Sequence, residues 1–401
     1  TLTITAENTD GMAFELGAFN SADPSTYKHN NGTVTFNNHS APAVHAVIIC
    51  GQSTSTDGLY NVIIDGANTI VSTYQGTNGT YIYNNYTHTN GNLKANGASN
   101  TFTVLGNVSL NGGNMFNSGN APTGAHTYGS LTITAGTYKA TSGTTTITNK
   151  NSSNYIIQIA GLFTHNSGTV KIDTSVTGDK LLDLIPSSGV GLNHLIVNED
   201  GSGSVQYNGN STIAGDLTIE EGRMMGYDFN NSELTVNGNV SIEDGGTLGV
   251  TGQRGDCQFG SLTIASGGTH VATSGTTTIT NEASGYVLSN SGTFTHNKGT
   301  VKITCPTQTS LVGCSGTNGL YNLTYAGTGT NEDLVLAANT DFFGHVIIDS
   351  ANSEIQSQGH TFNYYNGITI KQGGWDIGSS DESGTVNVYG AVRNVGGSIT
   401  A

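Results

Sequence analysis

The residues of this 401-residue chain whose types and spacing could do chemistry are acidic. Three apolar pairs, Leu195/Val197, Leu217/Ile219 and Val240/Ile242, recur 22 to 23 residues apart, and carboxylates follow each. Superposing the pairs as inward residues puts Asn198, Glu220 and Glu243 in one column. Glu199, Glu221 and Asp244 fall in the next, with Asp200 beside them. Like charges about 5 Å apart repel unless a cation neutralises them or their pKa values rise. One chemistry is a Ca²⁺ site with oxygen ligands from Glu199, Asp200, Glu220, Glu221, Glu243 and Asp244. Another is an acid/base pair, Glu220 with Glu243, for polysaccharide cleavage as in a lyase or glycoside hydrolase. The plainer reading is a solvated acidic corner, because charge runs usually face water. The Gly-Gly-x-Gly-x-Asp Ca²⁺ nonapeptide is absent, so no cofactor is expected unless the acidic corner takes Ca²⁺.

Three histidines share the phrase His-Asn-x-Gly-Thr-Val, at His29, His165 and His296. They lie some six coils apart and cannot share a metal. A histidine at a strand end before a turn explains them more simply. Aromatic side chains can stack on sugar rings while their polar tips stay wet. Two clusters are candidates for glycan binding, Tyr81, Tyr83 and Tyr86, and Tyr364, Tyr365 and Trp375, with core or corner packing the plainer reading. Thr144–Thr146 and Thr276–Thr278 suit outward strand positions by β-propensity. Four cysteines occur, with no metal-ligand spacing. Cys305 and Cys314 flank a Pro306 loop and could form a disulfide; buried free thiols are the equal alternative. Serine-hydrolase, zinc-protease and P-loop motifs are absent.

The elements that would position these residues are short strands. Runs such as Thr33–Phe36, Leu131–Ile133, Leu217–Ile219, Leu262–Ile264 and Ile368–Ile370 alternate apolar with polar, and Gly, Asn, Asp and Ser separate them. No helical periodicity appears. Leu195, Leu217, Val240 and Leu262 begin equivalent strands, and Val346 and Ile368 continue the step. A step of about 22 residues suits one coil of a parallel β-helix, here expected to be right-handed. It is too short for an antiparallel sandwich domain.

A longer repeat overlies the coil. Thr-Ser-Gly-Thr-Thr-Thr-Ile-Thr-Asn occurs at Thr141 and again at Thr273, and Phe-Thr-His-Asn-x-Gly-Thr-Val-Lys-Ile at Phe163 and Phe294. Gly-Gly corners follow strands at Gly112, Gly245 and Gly373. The expected organisation is one continuous solenoid over 1–401, in modules of about 130 residues: 27–162, 163–293 and an incomplete 294–401. Both ends fall inside the pattern, so a piece of a longer repetitive protein is expected.

Composition narrows the partners. The net charge is −16 with 12 Lys and Arg, and no basic cluster exists to displace counterions from nucleic acid. No run of about 18 apolar residues suggests a membrane-spanning helix. Hydrophobic residues are only 35%, yet they come in regular bursts, which fits a thin core rather than disorder.

The phrases Gly-Thr-Phe-Thr-His-Asn-x-Gly-Thr-Val-Lys-Ile, Gly-Leu-Tyr-Asn-Leu and Thr-Ser-Gly-Thr-Thr-Thr-Ile-Thr resemble those of repetitive β-helical proteins of bacteriophages, which serve as tail-fibre or virion-surface components. Bacterial adhesins built as β-solenoids look similar. The resemblance covers nearly the whole chain, but its motifs are structural and carry no catalytic residue. It implies an extracellular, non-enzymatic protein at a virion surface that binds host-surface polysaccharide or other virion proteins, alone or as a homo-oligomer. The alternative is a bacterial cell-surface adhesin or extracellular filament subunit.

Overall fold

Alternation of threonine with branched apolar residues folds as period two requires. In Thr33–Phe36, Val34 and Phe36 are buried and the two threonines are half-buried. Thr144–Ile147 and Thr276–Ile279 repeat that pattern. The computed structural model describes residues 1–4, 29–38, 44–48, 59–73, 79–95, 97–184, 191–329, 333–376 and 384–400. Among them there is no α-helix and one 3₁₀ turn, Gly316–Asn318. The strands pair in parallel as a β-solenoid of about 14 turns, roughly 23 residues apart.

The chain divides into two compact units, Thr1–Ile196 with Asp200–Gly203, and Val197–Glu199 with Ser204–Ala401. In the first, long strands bend around corners and serve several faces. Phe102–Gly119 pairs Phe102 and Val104 with His126 and Tyr128, then Val108 and Leu110 with Leu131 and Ile133, then Met115 with Tyr138. One ladder of inward residues runs Val34, Val62, Tyr86, Val108, Leu131, Ile157. A second runs Phe102, His126, Thr145, Val170. No coil encloses a core alone, so each apolar side chain is covered by its counterparts in the coils above and below.

In the second unit, Leu217, Val240, Leu262, Leu288, Leu311 and Leu336 form one ladder. The register expected for Leu217/Ile219 on Val240/Ile242 is the one observed. Val346 and Ile368 keep the step but not the ladder. They extend Leu234, Cys257, Thr277, Val301 and Leu323, on the neighbouring face.

The change of face follows from the module length. Module counterparts lie 128 to 136 residues apart, which at roughly 23 residues per turn is about 5.6 to 5.9 turns, rather than the expected six. Each repeat therefore returns one face early. Within the first unit, Val34 and its module counterpart Val170 stand on different ladders. Within the second, Val240 and its counterpart Ile368 do the same.

Candidate functional site

The column of Glu199, Glu221 and Asp244 is not a ladder of like charges. Each carboxylate lies against a glycine of the following coil: Glu199 against Gly222, Glu221 against Gly245, Asp244 against Gly267. These glycines have φ of 80°, 84° and 84°, a conformation that disfavours a side chain. The expected stacking of Glu199 on Glu221 is thus replaced by acid on glycine, because the corner shifts the register by one residue. Glu199 is buried, Glu220 half-buried, and Asp200, Glu221, Glu243 and Asp244 are exposed. Among the described residues no three His, Cys, Asp or Glu side chains converge as a metal-holding group. Glu220 and Glu243 follow the paired Ile219 and Ile242, and Glu243 donates its backbone N–H to the Ile219 carbonyl at 2.9 Å.

The His-Asn-x-Gly phrase is a turn. Asn30 and Asn31 have φ of 44° and 57°, Asn166 and Ser167 50° and 57°, Asn297 and Lys298 43° and 60°. Gly32, Gly168 and Gly299 close it onto the histidine carbonyls at 2.8, 3.0 and 2.9 Å. Two successive left-handed residues define a type I′ turn, which explains the first asparagine. That asparagine also reaches a lower coil: Asn166 Nδ2 donates to the Pro122 carbonyl and Asn297 Nδ2 to the Gln253 carbonyl. The histidine Nδ1 accepts a backbone N–H two residues on, from Asn31, Ser167 and Lys298 at 3.0, 2.9 and 3.0 Å. Burial lowers the pKa of His165 and His296; His194 and Lys298, respectively, add to the effect.

Aromatic residues gather beside two of these turns. His29 stacks on Tyr60 at 5.0 Å between ring centres and lies 5.2 Å from Tyr83, which touches Tyr81 at 4.7 Å. His296 lies 5.3 Å from Tyr321 and 5.6 Å from Phe343. From Phe343 the column continues to Tyr365 at 5.4 Å and Tyr389 at 5.2 Å, with planes 13° and 9° apart. The column follows the strands Thr340–Phe342, Thr361–Tyr364 and Thr385–Val388, which pair in register and put one ring on each coil. Tyr365 is 45% exposed and Tyr389 66%.

The structure splits both candidate clusters between surface and core. Tyr81, Tyr83 and Tyr365 face outward, but Tyr86, Tyr364 and Trp375 are core residues, and Tyr364 packs edge-on against Trp375 at 5.3 Å. Sequence reading missed Phe343 and Tyr389; the spacing 343, 365, 389 at one coil per step was the available signal. It also missed exposed Tyr227 and Phe229, on a loop tied by Asp228 to Asn230 and Asn231.

The Cys305–Cys314 disulfide does not form. Cys257, Cys305 and Cys314 are free thiols, while Cys50 lies outside the described residues. Cys305 follows Thr300–Ile303 and Cys314 follows Thr309–Val312, strands on different faces of one coil. Each sulfur finds a local partner instead, Thr307 Oγ1 at 3.3 Å and the Val312 carbonyl at 3.7 Å.

No protein-family model, curated protein or solved structure matches the chain. Fold and surface together define a repetitive β-solenoid with aromatic residues at its corners.

Proposed function

We propose that this chain is a structural and adhesive shaft at the surface of a bacteriophage particle, of the tail-fibre type, that holds host-surface glycans on its aromatic corner. The observation that carries the reading is the stacked column Phe343–Tyr365–Tyr389, whose two tyrosines are exposed. A strip of stacked rings on a scaffold of fixed rise is preorganised for a polymer of sugar rings, and little conformational entropy is lost on binding. The acidic balance of the chain favours uncharged over anionic glycans. Parallel stacking supplies the stiffness that a shaft needs.

The test has two parts. Purified chain should retain polysaccharide from the host envelope, and Tyr365→Ala with Tyr389→Ala should weaken retention at least tenfold, or about 1.4 kcal/mol. Antibody-gold labelling of the producing culture should decorate virions. Unchanged retention by the double variant removes the aromatic corner from the account. Gold on cell envelopes instead of virions replaces the phage shaft with a cellular adhesin.

A further inference from the structure

We infer that the His-Asn-x-Gly corners of the first and third modules are two equivalent subsites, each holding one uncharged sugar ring against a fixed imidazole N–H donor flanked by aromatic rings. The inference rests on the glycan reading above and extends it to a second place on the chain.

Both corners are built alike. Leu59 bridges to Ile82, and Leu320 to Phe342. Tyr83 donates its N–H to the Leu59 carbonyl and Phe343 to the Leu320 carbonyl, each at 2.9 Å. Asn61 Oδ1 accepts Asn84 Nδ2 at 2.9 Å, and Asn322 Oδ1 accepts the His345 N–H at 2.9 Å. The same two asparagines donate to Thr33 and Thr300 at 3.4 Å. Tyr60 and Tyr321 thus sit on equivalent frames, each held by bonds that reach the neighbouring coils.

The donor follows from the turn. Because Nδ1 of His29 and His296 accepts a backbone N–H, the neutral imidazole carries its proton on Nε2. In the first unit that Nε2 is buried and has no hydrogen-bond partner among the described residues. A buried donor without an acceptor is costly and calls for an explanation. A sugar hydroxyl entering between Tyr60 and Tyr83 would supply the acceptor, while the rings cover its apolar C–H face. At His296 the crevice towards Tyr321 and Gly299 leaves no room for a water molecule. There the sugar ring would lie over the corner, continuous with Tyr365 and Tyr389.

The second module provides an internal control. Leu192-Asn193-His194 stands where the other modules read Leu-Tyr-Asn, and Ala214 follows Ile213 where they carry Tyr83 or Phe343. His165 keeps the turn and lacks both rings.

Isothermal titration of the whole chain with the hexasaccharides of glucose and of N-acetylglucosamine tests the inference. Wild type should bind two equivalents of at least one of them. His29→Asn and His296→Asn keep a side-chain acceptor for the turn N–H but remove the Nε2 donor. Each should weaken one of the two sites about tenfold, the upper range for a lost hydrogen bond, and His165→Asn should weaken neither. Should an asparagine variant fail to melt cooperatively, Tyr60→Leu and Tyr321→Leu take its place with the same expectation. Undiminished binding by these variants, with weakened binding by Tyr365→Ala/Tyr389→Ala, overturns the subsites and spares the glycan reading. No binding of either hexasaccharide by wild type overturns the subsites; if host polysaccharide is still retained, only the glycan reading stands.

Discussion

Mild acid should destabilise this protein between about pH 6.5 and 4.5, and buried histidines are the cause. His88 and His126 are both enclosed in the first unit. Tyr86 and His88 share a hydrogen bond of 2.7 Å, Tyr128 and His126 one of 2.9 Å, and Tyr128 meets Tyr138 at 3.1 Å. Phe102 and Phe116 press against the same rings. Burial, opposed at His88 by its bond to the Gly91 carbonyl, lowers the pKa of His88 to about 4 and that of His126 to about 3. An unfolded histidine titrates near 6.5. Below that pH the unfolded chain binds protons that the folded chain refuses, so stability is complete above about 6.5 and falls as pH drops towards 4. At pH 4.5 two units of that window have been crossed, which is about 3 kcal/mol per histidine and about 5 kcal/mol for the pair. That approaches the whole stability of an ordinary domain. Relief of self-repulsion among the −16 net charges acts in the opposite direction. Histidine is the side chain whose ordinary pKa lies inside the window from 6.5 to 4.5, so the histidines dominate there. Urea denaturation followed by far-UV circular dichroism at pH 7.5 and 4.5 measures the difference, and His88→Phe/His126→Phe should remove most of it. If wild type loses less than about 1 kcal/mol, or the variant loses as much as wild type, the buried-neutral assignment is wrong.

Three further outcomes follow from the packing. Gly299→Ala would drive a Cβ into the Thr273 carbonyl of the coil below and should cost more than about 2 kcal/mol in urea denaturation. A change under 0.5 kcal/mol would show that the corner relaxes freely. Ile303→Ala removes a fully buried side chain between Ile279 and Tyr325 and should cost about 2–5 kcal/mol in the same assay. In a Cys50→Ser background, Cys257, Cys305 and Cys314 should resist a thiol reagent at pH 8 until the chain unfolds. Burial raises the pKa of Cys257 and Cys314 to about 12, and a reductant should leave Tm unchanged. Rapid labelling of the native chain would contradict the buried-thiol assignment.

Period-two alternation made the strands legible, because it reports which residues of a straight run share a side. That is why Leu217/Ile219 could be set on Val240/Ile242. The outward threonines hold only in part: Thr144, Thr146, Thr276 and Thr278 are half-buried, but Thr145 and Thr277 are core residues, stacked between His126 and Val170 and between Cys257 and Val301. Nearness in sequence, unlike parity, does not report a shared side. Tyr83 and Tyr86 are separated by Asn84 and Asn85, and the bend places one outside and the other in the core. Tyr364 and Tyr365 are adjacent, so only one of them could face water. Trp375 is buried on Ile355, a position that its polar neighbours do not announce. The glycine that meets each carboxylate was equally hidden, since a one-residue shift at the corner exchanges acid on acid for acid on glycine.

The repeat itself carries a geometric consequence that its text conceals. A module of six whole turns would return every phrase to the same face and align like corners along one side. At about 5.6 to 5.9 turns the phrase returns on the adjacent face, as Val34 and Val170 show in one unit and Val240 and Ile368 in the other. Equivalent side chains of successive modules therefore stand on different faces. The inward residues must then suit a different face in each module. The inward residues after the turn phrase are nonetheless alike, Val34 pairing with Val62 and Val301 with Leu323, so the repeat keeps its local packing while the face changes.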